Sequence, residues 1–113
     1  MKLKVKRYSD MGARTPSSGN FAETVEVEAK VGEYSTVSLF GIFHAFRSFK
    51  ILSMDKNSVT ISAISQTDSG VKNHEPERLL KGSIIGFSDS ERMTSDDGPS
   101  WTATDDLYFE IVE

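Results

Sequence analysis

The chain has 113 residues, 37% hydrophobic and 27% charged, a composition typical of one small globular domain spanning residues 1–113. It contains no cysteine, which excludes thiolate catalysis, cysteine-ligated zinc, iron–sulfur clusters and disulfides, and which suits a cytoplasmic protein. The net charge is −4, with nine Lys/Arg and six Asp/Glu in residues 1–56 but four and eleven in residues 57–113, so binding to nucleic acid is disfavoured.

The first two predicted strands show strict alternation of apolar and charged residues. In residues 2–8, KLKVKRY, Leu3 and Val5 lie on one side and three lysines on the other, and residues 24–31, TVEVEAKV, repeat the pattern. Such alternation is typical of strands with one buried face. No apolar stretch follows the basic start, and no run approaches the roughly 20 apolar residues of a membrane span, so we expect a soluble, unprocessed chain without membrane contact.

Four phenylalanines follow at intervals of three residues: Phe40, Phe43, Phe46 and Phe49. A single strand would place these rings on both faces, and Gly41 weakens a helix, so we predict a strand through Phe40, a bend or short helical turn over residues 41–46 and a new strand near Arg47. The rings would then fill one end of the core. An alternative is a stacking platform for single-stranded nucleic acid, formed by Phe40, Phe43, Arg47 and Lys50.

The second half of the chain predicts further strands. Residues 49–65 indicate a hairpin whose turn is Asp55–Ser58. Residues 78–88 are strand-like, but residues 75–82, EPERLLKG, also have typical helix boundaries in Pro76 and Gly82, so we expect one helical turn that leads into a strand. Residues 107–113, LYFEIVE, form the last strand. Three stretches, Ser9–Asn20, Gln66–Asn73 and Ser88–Asp105, are rich in turn-forming residues and are expected to be loops.

These elements predict an all-β, single-domain antiparallel β-barrel or sandwich of about seven strands with at most a short helical turn. Basic residues 2–7 and acidic residues 106–113 are expected to be cross-strand neighbours. If they do not pair within one chain, they could pair between two chains and give a homodimer through sheet edges.

The chain has two histidines, His44 and His74. In an up-and-down topology the connections after the first, third and fifth strands meet at one end, which would bring together Asp10, Arg14, His44, Asp68, His74 and Glu75. Two imidazoles with nearby carboxylates at a barrel mouth could hold a small molecule or a metal ion, or act as acid and base. The sequence HEPER at residues 74–78 lacks the second histidine of a zinc motif, so no individual metal ligand is assigned.

Trp101 lies in the acidic stretch 88–106, just after Gly98 and Pro99. A lone tryptophan in a polar segment either covers the core or anchors a partner. The predicted ligand-binding residues are therefore Arg14, His44, His74, Glu75 and Trp101.

No catalytic motif, phosphate-binding loop or cofactor motif is present in the sequence. We therefore expect a non-enzymatic binding or accessory module, without a cofactor, that acts through its long loops on a protein or a small ligand. A small-molecule or metal site at the barrel mouth is the first alternative, and nucleic-acid binding through residues 40–50 is the second.

Overall fold

A computed structural model describes residues 1–10, 20–41, 44–95 and 98–112, except for the side chains at positions 20, 93–95, 98, 99 and 101. The described residues form nine strands and one short helix: β1 (Lys2–Asp10), β2 (Asn20–Glu28), β3 (Gly32–Ser35), α1 (Thr36–Phe40), β4 (Phe46–Met54), β5 (Ser58–Thr67), β6 (Gly70–Asn73), β7 (Glu77–Leu80), β8 (Ile84–Ser95) and β9 (Gly98–Ile111).

The strands form two antiparallel sheets that pack face to face. Sheet A has the order β2-β1-β9-β8, and sheet B has the order β3-β4-β5, with β6 and β7 both pairing with β5. The all-β prediction is confirmed as two packed sheets, with nine strands instead of about seven. Closure into a barrel is not shown. The described part of the chain contains no helix long and apolar enough to cross a membrane.

The alternation of β1 and β9 determines which face of sheet A is buried. Leu3 and Val5 of β1 point inward together with Leu107, Phe109 and Ile111 of β9. Lys4 pairs in register with Glu110 on the outer face, where Nζ lies 3.9 Å from Oε1. The predicted pairing of the basic and acidic strands is therefore confirmed within one chain. The homodimer through sheet edges depends on these two strands not pairing within one chain, and this condition is not met.

Aromatic rings connect the two sheets in the core. Phe49 of sheet B packs edge-on against Phe109 of sheet A, with ring centroids 4.9 Å apart, and Phe109 contacts Phe87 in the same way at 5.9 Å. The other large apolar side chains of the core are Leu3, Val5, Phe40, Phe46, Ile51, Val59, Ile61, Leu79, Leu107 and Ile111. Burial of this apolar surface is the main driving force for folding.

The phenylalanine segment begins with a helix, not with the predicted strand through Phe40. The Ser35 hydroxyl caps α1 by accepting a hydrogen bond from the Ser38 N–H at 3.2 Å, and Gly41 ends the helix with a φ of 74°, a conformation that favours glycine. Strand β4 starts at Phe46, close to the predicted position. The rings of Phe40, Phe46 and Phe49 are buried, as predicted for core filling, and Phe43 lies outside the described residues.

The predicted helical turn within residues 75–82 is wrong, because Glu77–Leu80 form the strand β7, which pairs with β5. Asn73 and Glu77 are four residues apart in the sequence, whereas their partners on β5, Ile64 and Ile61, are three residues apart. The extra residue is a bulge at the segment 74–76, where Pro76 has no N–H for the ladder. This bulge lets His74 point inward, onto the rings of Phe46 and Phe87.

The predicted loop over Ser88–Asp105 is also wrong. Strands β8 and β9 pair along this stretch, from Ile84↔Glu110 to Ser95↔Gly98, while β1 pairs with β9 only as far as Thr104. The end of the β8–β9 ribbon therefore extends beyond β1, in a molecule measuring 53 × 27 × 23 Å. Residues 96 and 97 lie outside the described part of the chain.

Candidate functional site

A charged pair lies inside the sandwich, at inward-facing positions of β1 and β9. Arg7 continues the inward series of Leu3 and Val5, and Asp105 continues that of Leu107 and Phe109. Both charged side chains are 0% exposed. The guanidinium binds the carboxylate through two bonds, Nε to Oδ1 at 3.0 Å and Nη2 to Oδ2 at 2.6 Å. This is the bidentate geometry in which arginine and carboxylate interact most strongly.

The Arg7–Asp105 pair ties sheet A to the first residue of β4 in sheet B. Asp105 accepts hydrogen bonds from the Ser9 hydroxyl at 2.7 Å and from the Phe46 N–H at 2.9 Å. The Phe46 carbonyl in turn accepts from Arg7 Nη2 at 3.1 Å and from the Thr36 hydroxyl at 2.6 Å. Because buried charges need partners on every side, this network fixes the position at which the chain enters β4.

His44 lies two residues before this anchor and has an unusual environment. Its side chain is only 8% exposed, yet neither ring nitrogen has a hydrogen-bond partner within the described part of the chain. The nearest opposite charge is Oδ2 of Asp105, 4.0 Å from Nδ1, which is beyond hydrogen-bond distance. Buried polar groups are nearly always hydrogen-bonded, so an unpartnered imidazole suggests a ligand position.

His44 lines a cleft of about 300 Å³ at this end of the sandwich. Three segments form the cleft, and the described residues that line it are His44, Ala45, Arg47, Gln66, Thr67, Asp68 and Glu91. Ala45 accepts a hydrogen bond from the Gln66 N–H at 2.8 Å, and Glu91 Oε1 accepts one from the Asp68 N–H at 2.7 Å. These two bonds hold the walls against each other, so the cleft is formed without a ligand.

A second polar group lies beside the cleft and contains Ser65, His74 and Asp89. The fully buried Ser65 hydroxyl donates to Oδ2 of Asp89 and lies 2.9 Å from Nε2 of His74. Since a hydroxyl has one hydrogen, Nε2 must donate to the serine oxygen. Burial and the nearby Lys72 lower the pKa of His74, while Asp89 opposes this shift.

This arrangement differs from a catalytic Ser-His-Asp triad. In a triad the histidine accepts the serine proton and the aspartate orients the histidine. Here the aspartate takes the serine proton and the histidine is a donor, so the histidine is not placed as the general base of Ser65. The three side chains connect β5, β8 and the bulge after β6, which is a structural role.

The structure brings only some of the predicted ligand residues together. His44 and Asp68 line the cleft, whereas His74 and Glu75 are not among its described lining residues, and Glu75 is exposed. Arg14 lies outside the described residues, as does the side chain of Trp101, whose backbone belongs to β9. No group of three or more His, Asp or Glu residues in the described ranges is placed to hold a metal ion.

The residues of the nucleic-acid alternative also separate. Arg47 lines the cleft, but Phe40 is in the core and Lys50 pairs with Glu33 of β3, with Nζ and Oε2 3.7 Å apart. A stacking platform needs exposed rings, and those of Phe40, Phe46 and Phe49 are covered.

Sequence reasoning missed Arg7, Asp105 and Glu91. A signal for Arg7 was present, because it falls on an inward position of the first predicted strand; Asp105 continues the alternation of the last predicted strand, but it lies in a stretch that the sequence predicts to be a loop. Glu91 has no such signal, since its place in the cleft depends on the pairing of β8 through a stretch that the sequence predicts to be a loop.

Comparison of the chain with protein-family models, with curated proteins and with solved structures gave no match. The function is therefore argued from the geometry of the cleft.

Proposed function

We propose that this protein is a non-enzymatic binding module that holds a small polar ligand in the cleft between residues 44–47, residues 66–68 and Glu91. His44 carries the proposal. Its ring is more than nine-tenths buried in the wall of the cleft, and both nitrogens lack hydrogen-bond partners among the described residues. A ligand that bonds to either nitrogen would relieve the cost of an unsatisfied buried polar group, about 1–3 kcal/mol.

The rigidity of the walls supports binding. The Arg7–Asp105 pair fixes Phe46, the Gln66 N–H holds Ala45, and Glu91 holds the turn at Asp68. A site that is already formed loses little conformational entropy when the ligand enters, which favours affinity. The small volume and the mostly polar lining favour a small hydrophilic molecule over a protein segment.

The proposal includes a cytoplasmic location, which the absence of cysteine supports. Its non-enzymatic character is supported by Ser65, His74 and Asp89, whose hydrogen bonds run in the wrong order for a nucleophilic triad.

The chain's two histidines allow a direct test by NMR. In a ¹H–¹³C spectrum of the imidazole groups, the signals of His44 and His74 are assigned with the single variant His74→Gln. Adding pools of small polar metabolites should move the His44 signals and leave those of His74 nearly unchanged. His74 is the internal control, since it lies close to the cleft but is bonded to Ser65. The proposal fails if no pool moves the His44 signals, or if both histidines always move together.

A further inference from the structure

The charges that line the cleft are sorted between its walls. His44 and Arg47 belong to one segment, three residues apart, and they form the basic wall. Asp68 and Glu91 form the acidic wall, where the Asp68 N–H binds Oε1 of Glu91 at 2.7 Å. An anion alone would meet the two carboxylates, and a cation alone would meet the guanidinium.

The basic wall is suited to a carboxylate group. Imidazole and guanidinium N–H groups form short, charge-assisted hydrogen bonds to carboxylate oxygens. The His44 nitrogens have no bond to lose within the described residues, so no existing hydrogen bond there is broken when the anion enters.

The acidic wall is suited to an ammonium group. Two carboxylates offer about eight acceptor positions in total, and an ammonium has only three donors to place. The Asp68 N–H uses one acceptor position on Glu91, which fixes that side chain and leaves other positions on the wall for a ligand.

From this arrangement we infer that the cleft binds a small zwitterion, with its carboxylate at His44 and Arg47 and its ammonium at Asp68 and Glu91. The inference rests on the proposed function and names the ligand class of the same site. A volume of about 300 Å³ accommodates a molecule the size of a free amino acid.

The test compares zwitterions with matched molecules that carry one charge. The probes are the α-amino acids and the straight-chain ω-amino acids of three to six carbons, read by the His44 signals and by calorimetry. For the best binder, the N-acetyl derivative keeps only the anion and the carboxamide keeps only the cation. Glycerol and glucose are the uncharged probes.

We expect the parent zwitterion to bind at least about tenfold more tightly than either single-charge derivative, since each derivative loses the hydrogen bonds of one charged group and a tenfold change in Kd corresponds to only about 1.4 kcal/mol. The parent should also raise the Tm by about 10 °C when its free concentration is about 100 times Kd.

Two substitutions assign each charge to its wall. Arg47→Gln should weaken the binding of the zwitterion and of its N-acetyl derivative about tenfold or more and leave the affinity for the carboxamide unchanged. Asp68→Asn, at an exposed turn, should weaken the binding of the zwitterion and of the carboxamide but not that of the N-acetyl derivative. Glu23→Gln, an exposed change on β2 away from the cleft, is the matched control and should alter none of them.

The outcomes separate this inference from the proposed function. If a single-charge derivative, glycerol or glucose binds as tightly as every amino acid while moving the His44 signals, the zwitterion is refuted as the ligand class and the cleft is kept as the binding site. If no probe of this set moves the His44 signals or the Tm but a pool of other polar metabolites does, the zwitterion is refuted and the proposed function is kept. If no pool does either, both proposals are refuted. Binding that both Arg47→Gln and Asp68→Asn leave intact also refutes the zwitterion.

Discussion

Replacing one partner of the Arg7–Asp105 pair should cost far more stability than replacing a surface ion. Arg7→Met keeps much of the side-chain volume but leaves the buried Asp105 carboxylate with only the Ser9 hydroxyl and the Phe46 N–H as donors in the network described above. Breaking a buried ion pair in this way costs about 3–5 kcal/mol. Total stabilities of about 5–15 kcal/mol are usual, so the loss would be a large part of the whole.

The double variant Arg7→Met/Asp105→Asn separates the charge from the packing. It removes both buried charges and keeps an amide oxygen that accepts a hydrogen bond from Ser9 or Phe46. Its loss in free energy of unfolding should therefore be smaller, by about 2 kcal/mol or more, than the sum of the losses of the single variants Arg7→Met and Asp105→Asn. Urea unfolding with linear extrapolation measures all three variants.

Lys4→Met is the control for this cycle. The Lys4–Glu110 pair is solvent-exposed and its atoms are 3.9 Å apart, so the variant should lose no more than about 1 kcal/mol. The reasoning is refuted if Arg7→Met costs no more than Lys4→Met, or if the single-variant costs add within about 0.5 kcal/mol.

Three further changes test other parts of the structure. Burial lowers the pKa of His74, so as the pH drops below about 6.5 this histidine is protonated in the unfolded chain before it is protonated in the folded protein, and the free energy of unfolding should fall. His74→Gln should flatten the pH dependence of the free energy of urea unfolding in this range, and an unchanged slope would contradict the expectation. Gly86→Ala would place a methyl group 2.8 Å from Cδ1 of Tyr108, so we expect a displaced ring and a loss of about 1 kcal/mol, and an unchanged Tm with unchanged Tyr108 ring signals would show that the contact is absent. Thr36→Val removes the hydroxyl donor to the Phe46 carbonyl and should cost about 1 kcal/mol in urea unfolding, whereas a neutral effect would mean that the carbonyl is satisfied by Arg7 alone.

Alternation made the central strands predictable, and its absence explains the errors. Leu3 and Val5 define the inward face of β1 without any knowledge of its neighbours, because side chains on a strand alternate strictly. Residues 88–105 are nearly all small or acidic, so no apolar phase marked them as strands, although their backbone pairs along most of its length. Local sequence also favoured a helical turn around Pro76, but pairing with β5 overrides that preference by placing Leu79 in the core.

The candidate site was less predictable than the fold because it depends on two distant contacts. His44 was identified as a candidate, but its burial follows from the way Asp105, some sixty residues away in the sequence, anchors Phe46. The cleft also needs Glu91 to reach the turn at Asp68. Neither contact leaves a periodic signal in the sequence, since each joins single residues that are far apart along the chain.

The position of the cleft follows from a change in polarity along the inward faces of the strands. On β1 the inward residues change from Leu3 and Val5 to Arg7 and Ser9, and on β9 Asp105 lies between the inward residues Leu107 and Ala103. An apolar core excludes water and holds itself together, but a polar layer must satisfy each donor and acceptor individually. In the described structure Arg7, Ser9 and Asp105 satisfy one another, whereas His44, at the margin of that layer, does not have a partner. A polar layer whose groups are hydrogen-bonded everywhere except at the wall of a cleft is stable enough to fold, and its unpartnered imidazole can still form a hydrogen bond to a ligand. This is the physical basis for placing the ligand at His44.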